Sequence, residues 1–144
     1  MLTDLPALHF TIPARDALGR EHVEGKLLAA EEALQFFWRH RDRTFKRTGG
    51  EMRMIAVSYA NVESVTLRTT LGWFSPRLLL RLSDPRPLQE VPGTEVGLAT
   101  LMLTDHDARR GARAFIKLVE YRQSDAEASA RIGRLSELEK ERGL

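Results

Sequence analysis

The stretch that most constrains the fold is Thr104 to Gln123, TDHDARRGARAFIKLVEYRQ. Ala108, Ala112, Phe115 and Val119 recur at spacings of four, three and four, with Leu118 widening the stripe. That is the period of an amphipathic helix with one buried face. Arg109, Arg110, Arg113 and Lys117 fall off the stripe and are expected to face water. Thr104 and Asp107 have the spacing of a capping box, with Asp in place of Glu. Upstream, the period changes from 3.6 to 2, so the helix is expected to cover a sheet.

The strand-like stretches follow one another closely. Leu8, Phe10 and Ile12 alternate within residues 1–20, a segment read as an N-terminal extension outside the main domain. His22 to Ala29 reads as a strand in which Gly25 marks a bulge or a close backbone approach. Glu31-Glu32-Ala33 reads as a turn, and Leu34, Phe36 and Trp38 open a strand that can run on to Phe45. Gly49-Gly50 is the clearest hairpin signal, because glycine reaches positive φ without steric cost. Ile55, Val57 and Tyr59 share one face before Ala60-Asn61 interrupts the pattern, and Val65, Leu67 and Thr69 resume it. Leu78, Leu80 and Leu82 form a further strand. Ser83 to Gly93 holds three prolines and reads as loop. Val96, Leu98, Thr100 and Met102 are expected to make the last strand. Six or seven short strands and then a helix point to a mainly β domain, a partly open antiparallel barrel capped by the C-terminal α-helix.

Composition narrows the class of protein. The chain has 144 residues, 42% of them hydrophobic, which suits one domain with its own core. It has no cysteine, so disulfides, thiolate metal sites and a cysteine nucleophile are all excluded. The net charge of +2 is a mild bias. The N-terminal residues lack the basic and apolar segments of a signal peptide. No stretch has the roughly 20 apolar residues of a membrane-spanning helix. A soluble, cytoplasmic protein is expected.

The layout resembles the pleckstrin-homology-like (PH-like) superfold, and in particular small bacterial domains of the PH or GRAM-like kind. The resemblance is carried by Gly25-Lys26-Leu27, Leu34-Gln35-Phe36, the run from Ile55 to Val65, the strand Leu98 to Leu103 and the helix from Asp105. It covers residues 21–123, leaving residues 1–20 as an extension and residues 124–144 as a helical tail. It implies a seven-stranded barrel of two near-orthogonal sheets, capped by the helix, in a non-enzymatic binding or scaffold module without a cofactor. Family members mostly bind lipid headgroups, peptides or proteins. The phosphoinositide-binding subset carries a basic motif between its first two strands. The corresponding loop here, Ala30 to Ala33, holds Glu31 and Glu32 instead.

Two candidate sites stand out. Arg39, Arg41, Arg43, Lys46 and Arg47, with Asp42 among them, carry a net charge of +4. On a strand, Arg39, Arg41 and Arg43 project from one face about 7 Å apart, a row that can meet an anionic membrane surface or nucleic acid. The other reading is a solvated outer sheet face that discourages edge pairing. Trp73-Phe74, between Gly72 and Pro76, belong to a turn and either fold over the core or offer an aromatic contact to a partner. His106 with Asp105 and Asp107 has the composition of a metal cluster, but helix capping accounts for the carboxylates. Phosphate loops and nucleophile motifs are missing from the sequence.

The leading expectation is a protein- or peptide-binding module that uses an open sheet edge or Trp73-Phe74. The alternative is anionic binding through residues 39–47, and a small enzyme with an unfamiliar site is the third class. In the tail, Ser124 and Glu127 repeat the capping-box spacing, so either a second helix starts there or the first continues. Ala128, Ile132, Leu135 and Leu138 form a thin apolar stripe. It is expected to dock on the chain's own barrel; homo-oligomers through this stripe or through the sheet edge are the other arrangement.

Overall fold

A computed structural model describes residues 7–13, 22–41, 48–69, 76–103 and 105–143. Among these residues seven strands precede one helix: β1 (Ala7–Ile12), β2 (His22–Ala29), β3 (Leu34–Arg41), β4 (Thr48–Val57), β5 (Val62–Arg68), β6 (Arg77–Leu82), β7 (Leu98–Met102) and α1 (His106–Glu141). The strands form one antiparallel sheet in the order β4-β3-β2-β1-β7-β6-β5, not closed between β4 and β5. The protein is therefore mainly β, an open seven-stranded sheet capped by a single C-terminal helix.

Alternation makes the strands and divides their faces. β1 buries Leu8, Phe10 and Ile12, β3 buries Leu34, Phe36 and Trp38, and β6 buries Leu78, Leu80 and Leu82. Residues 7–12, read from sequence as part of an extension, are instead the middle strand of the sheet, paired with β2 along their whole length and touching β7 at Thr11. Their three buried apolar side chains explain that placement, since Leu8, Phe10 and Ile12 gain burial only inside the sheet.

Two strand readings differ from the sequence. Gly49 and Gly50 lie inside β4, with Gly49 opposite His40, so they do not form the hairpin turn. β3 is described as far as Arg41, and its expected extension to Phe45 falls on residues 42–47, outside the described residues. In the second case the last strand has the opposite phase. Ala99, Leu101 and Leu103 are buried, while Val96 is 89% exposed. The cause is a tight reversal before the strand, where Val96 has φ 34° and Gly97 φ 80°. Glu95 and Leu98 exchange backbone hydrogen bonds of 2.9 and 2.8 Å across it. Pairing with β6 then sets Ala99 against Leu80 and Leu101 against Leu78, and directly opposed residues share a face.

The interruption at Ala60-Asn61 is a break between strands. A short 3-10 helix, Tyr59–Asn61, joins β4 to β5, and the Ser58 hydroxyl accepts from the Ala60 N–H at 3.3 Å. Asn61 ties this corner to the exit of β6. Its amide donates to the Asp84 carbonyl at 3.1 Å and its side-chain oxygen accepts from the Asp84 N–H at 2.6 Å. Its own carbonyl accepts from the Ser83 N–H at 2.9 Å. Asn61→Ala is expected to lower stability by about 1–3 kcal/mol, because both Asp84 backbone groups lose their partner. Urea unfolding of the variant measures this loss. Tyr59 is buried beside the same corner and donates its hydroxyl to the Ala30 carbonyl. Burial raises its phenol above the ordinary value, with the charge of Arg122 pulling the other way.

α1 has 36 residues, about 54 Å at 1.5 Å per residue. Its buried residues are Ala108, Ala112, Phe115 and Val119, the stripe expected from sequence. The helix packs on β1, β2, β5 and the 3-10 corner. The N-cap is Asp105, whose carboxylate accepts from the Asp107 N–H at 3.0 Å, rather than Thr104, which lies outside the described residues. Arg109 is not simply solvated, since its Nε donates to the Leu103 carbonyl at 3.1 Å. No second helix begins at Ser124; α1 runs through it without a break. Ala126 is the last apolar residue packed against the core. Beyond it the stripe does not dock on the sheet: Ile132, Leu135 and Leu138 are 67%, 61% and 48% exposed.

Candidate functional site

The outer face of β1 to β4 is built by the residues that alternate with the core. Register places them in rows across the strands. His9 lies opposite Lys26, Lys26 opposite Phe37, and Phe37 opposite Met54. One row along, Thr11, Glu24 and Arg39 are neighbours in the same way, and on the other side come Ala7, Leu28, Gln35 and Ala56. Strand β4 is the free edge of this layer, paired with β3 alone among the described strands. Part of it also packs against the 3-10 turn Arg86–Leu88.

An open cavity of about 370 Å³ lies on this face. His9, Thr11, Glu24, Lys26, Arg39 and Met52 line it, together with Asp105 from the start of α1. Its charges are locally compensated. Arg39 donates its Nε to the Glu24 carboxylate in a part-buried ion pair. The Lys26 ammonium lies 5.1 Å from the centroid of the Phe37 ring, within cation–π range. Lys26 and Arg39 are thus matched in number by Glu24 and Asp105. Next to these groups the face is apolar: Met52 and Met54 are 42% and 51% exposed. Methionine side chains are unbranched and adaptable, and suit surfaces that accommodate varied partners.

The sequence-derived candidates fare unevenly. Arg39 belongs to the face, but in the ion pair with Glu24 rather than in an unopposed basic row. Arg41 is the last residue of β3, opposite His22 and Thr48. Arg43, Lys46, Arg47, Trp73 and Phe74 lie outside the described residues. His106, Asp105 and Asp107 sit at the start of α1, with Asp105 as the cap and Asp107 accepting from Arg110 at 3.1 Å. No group of three or more His, Asp or Glu side chains among the described residues is arranged to hold a metal ion. Sequence reasoning missed His9, Glu24, Lys26, Phe37, Met52 and Met54. The only signal for them was their position between the buried residues of each strand.

Geometry and topology together define an open antiparallel sheet with one helix-covered face and one free edge beside a mixed apolar and charged face. Compared with known protein families, curated proteins and solved structures, the chain matches none. No helix among the described residues is long and apolar enough to cross a membrane.

Proposed function

We propose that this chain is a non-enzymatic binding module of PH-like build whose partner is an extended peptide segment of another protein. The observation that carries the reading is the free β4 edge with Met52 and Met54 exposed along it. An edge strand presents unpaired N–H and C=O groups, and an added strand satisfies them at each second residue. Side chains of the incoming strand alternate, so every other one lies over the face formed by Phe37, Met52 and Met54. The strand order, the gap between β4 and β5 and the helix directly after the last strand support the PH-like build. The compensation of Arg39 by Glu24 favours a peptide over an anionic surface as the partner.

The β5 edge is a weaker candidate, because α1 packs against it and Gln123 donates to the Val62 carbonyl at 2.6 Å. A displayed library of random peptides, selected on the immobilised protein, tests the proposal. Binders with aliphatic residues at alternating positions are expected. The double change Met52→Glu and Met54→Glu is expected to weaken them about tenfold or more, since burying one such side chain contributes roughly 1.5–3 kcal/mol. Failure to enrich any peptide, or binders indifferent to both methionines, would refute the reading.

A further inference from the structure

We infer that the exposed end of α1 pairs antiparallel with the same segment of a second copy of this chain. Two independent observations select that occupant. Ala128, Ile132, Leu135 and Leu138 lie on one side of the helix at spacings of four, three and three, and all four are exposed. The charges beside this stripe alternate in sign along the helix: Asp125, Arg131, Glu139 and Arg142.

Consider two copies running in opposite directions, with Ile132 of each opposite Leu135 of the other. Asp125 then faces Arg142 of the second copy, and Arg131 lies within one turn of its Glu139. By symmetry each of these contacts occurs twice. In a parallel, in-register pair the same residues would meet their own kind, Asp125 on Asp125 and Glu139 on Glu139, which is destabilising at a helix seam. Charge complementarity therefore selects the antiparallel arrangement.

The length of the free helix fits as well. The antiparallel overlap runs from residue 125 to residue 142, and Ala126 is where contact with the core ends. Each copy's helix end thus reaches the root of the other helix, with the two sheets at opposite ends of the pair. A short helix alone does not persist in water, because its first turn is costly to form. Here that turn is already seated on the sheet through Ala108 to Val119, so the tail needs only propagation. Pairing covers the apolar stripe that the fold leaves in water.

Sedimentation equilibrium on the full chain is the test, with a dimer expected to form as concentration rises, at micromolar levels on the order of 10–100 µM. Ile132→Asp, at an exposed position, is expected to leave the far-ultraviolet spectrum unchanged and to weaken the dimer about tenfold or more. Arg131→Glu with Arg142→Glu is expected to weaken it about tenfold, and adding Asp125→Arg and Glu139→Arg to restore it. The absence of native cysteine allows the direction to be read directly. Asp125→Cys combined with Arg142→Cys is expected to give an oxidised covalent dimer, and Asp125→Cys alone to give none. A monomer at all concentrations to about 1 mM, a dimer insensitive to Ile132→Asp, or crosslinking by Asp125→Cys alone would overturn the inference.

Discussion

Phe115→Ala is expected to remove about 3–5 kcal/mol of unfolding free energy, the range for deleting a buried aromatic ring. Phe115 is 2% exposed and sits with Ala108, Ala112 and Val119 on the buried stripe of α1. The two residues before it on that stripe are alanines, which fill little space, so the ring supplies much of the helix's volume in the core. Ile116 and Leu118, which flank it on the helix, are only partly buried against the same core. Tyr121 is 63% exposed on the same helix, and Tyr121→Ala is expected to change stability by less than about 0.5 kcal/mol. Guanidinium unfolding of both variants makes the comparison. A loss below about 1 kcal/mol for Phe115→Ala would mean that the helix is not the element that covers the sheet.

The second large effect is expected at Gly25, in the middle of β2. A side chain there would press into the backbone carbonyl of Phe37 on β3 and come within 2.6 Å of the Phe10 ring on β1. A ring can turn aside, but the Phe37 carbonyl cannot move without opening the β2–β3 ladder. Gly25→Ala is therefore expected to destabilise by about 3 kcal/mol, at the upper end of overpacking costs, and Gly25→Val to leave the chain largely unfolded. Gly133→Ala should have the opposite sign. Gly133 lies in the exposed part of α1 with open space around it, and alanine there gains about 1 kcal/mol of helix propensity. Circular dichroism melts of the three variants show both signs. A Gly25→Val protein that melts like the parent would contradict the packing described between β1, β2 and β3.

Legibility from sequence depended on how many elements a feature needs. The helix stripe was readable because Ala108, Ala112, Phe115 and Val119 belong to one element, whose period does not depend on its neighbours. The buried face of β6 was readable for the same reason, whereas the alternation of β1 was visible but its place in the middle of the sheet was not, since that depends on pairing with β2 and β7. Strand β7 was misread because Val96-Gly97 forms a reversal at positive φ, and the apolar residues on both faces of the strand carry no sign of which face turns inward. Gly25 was recognised as a bulge or a close approach. The register runs through it unbroken on both sides, and the shift in this region falls between Trp38 and His40. The fate of Ile132 and Leu135 was not readable, since it turns on whether α1 stays straight past the edge of the sheet. The binding face needed more still. His9, Lys26, Phe37 and Met54 come from four strands, and only the register places them in one row.

That row, with the free edge beside it, is where the functional reading is most directly tested. Amide hydrogen exchange, followed residue by residue with and without a selected peptide, is the decisive measurement. The account predicts that binding slows exchange along β4, from Glu51 to Val57, with smaller effects in β3, and leaves the amides of α1 between Ala108 and Val119 unchanged. Protection confined to α1 or to the Pro85–Gly97 loop, with β4 unaffected, would contradict it.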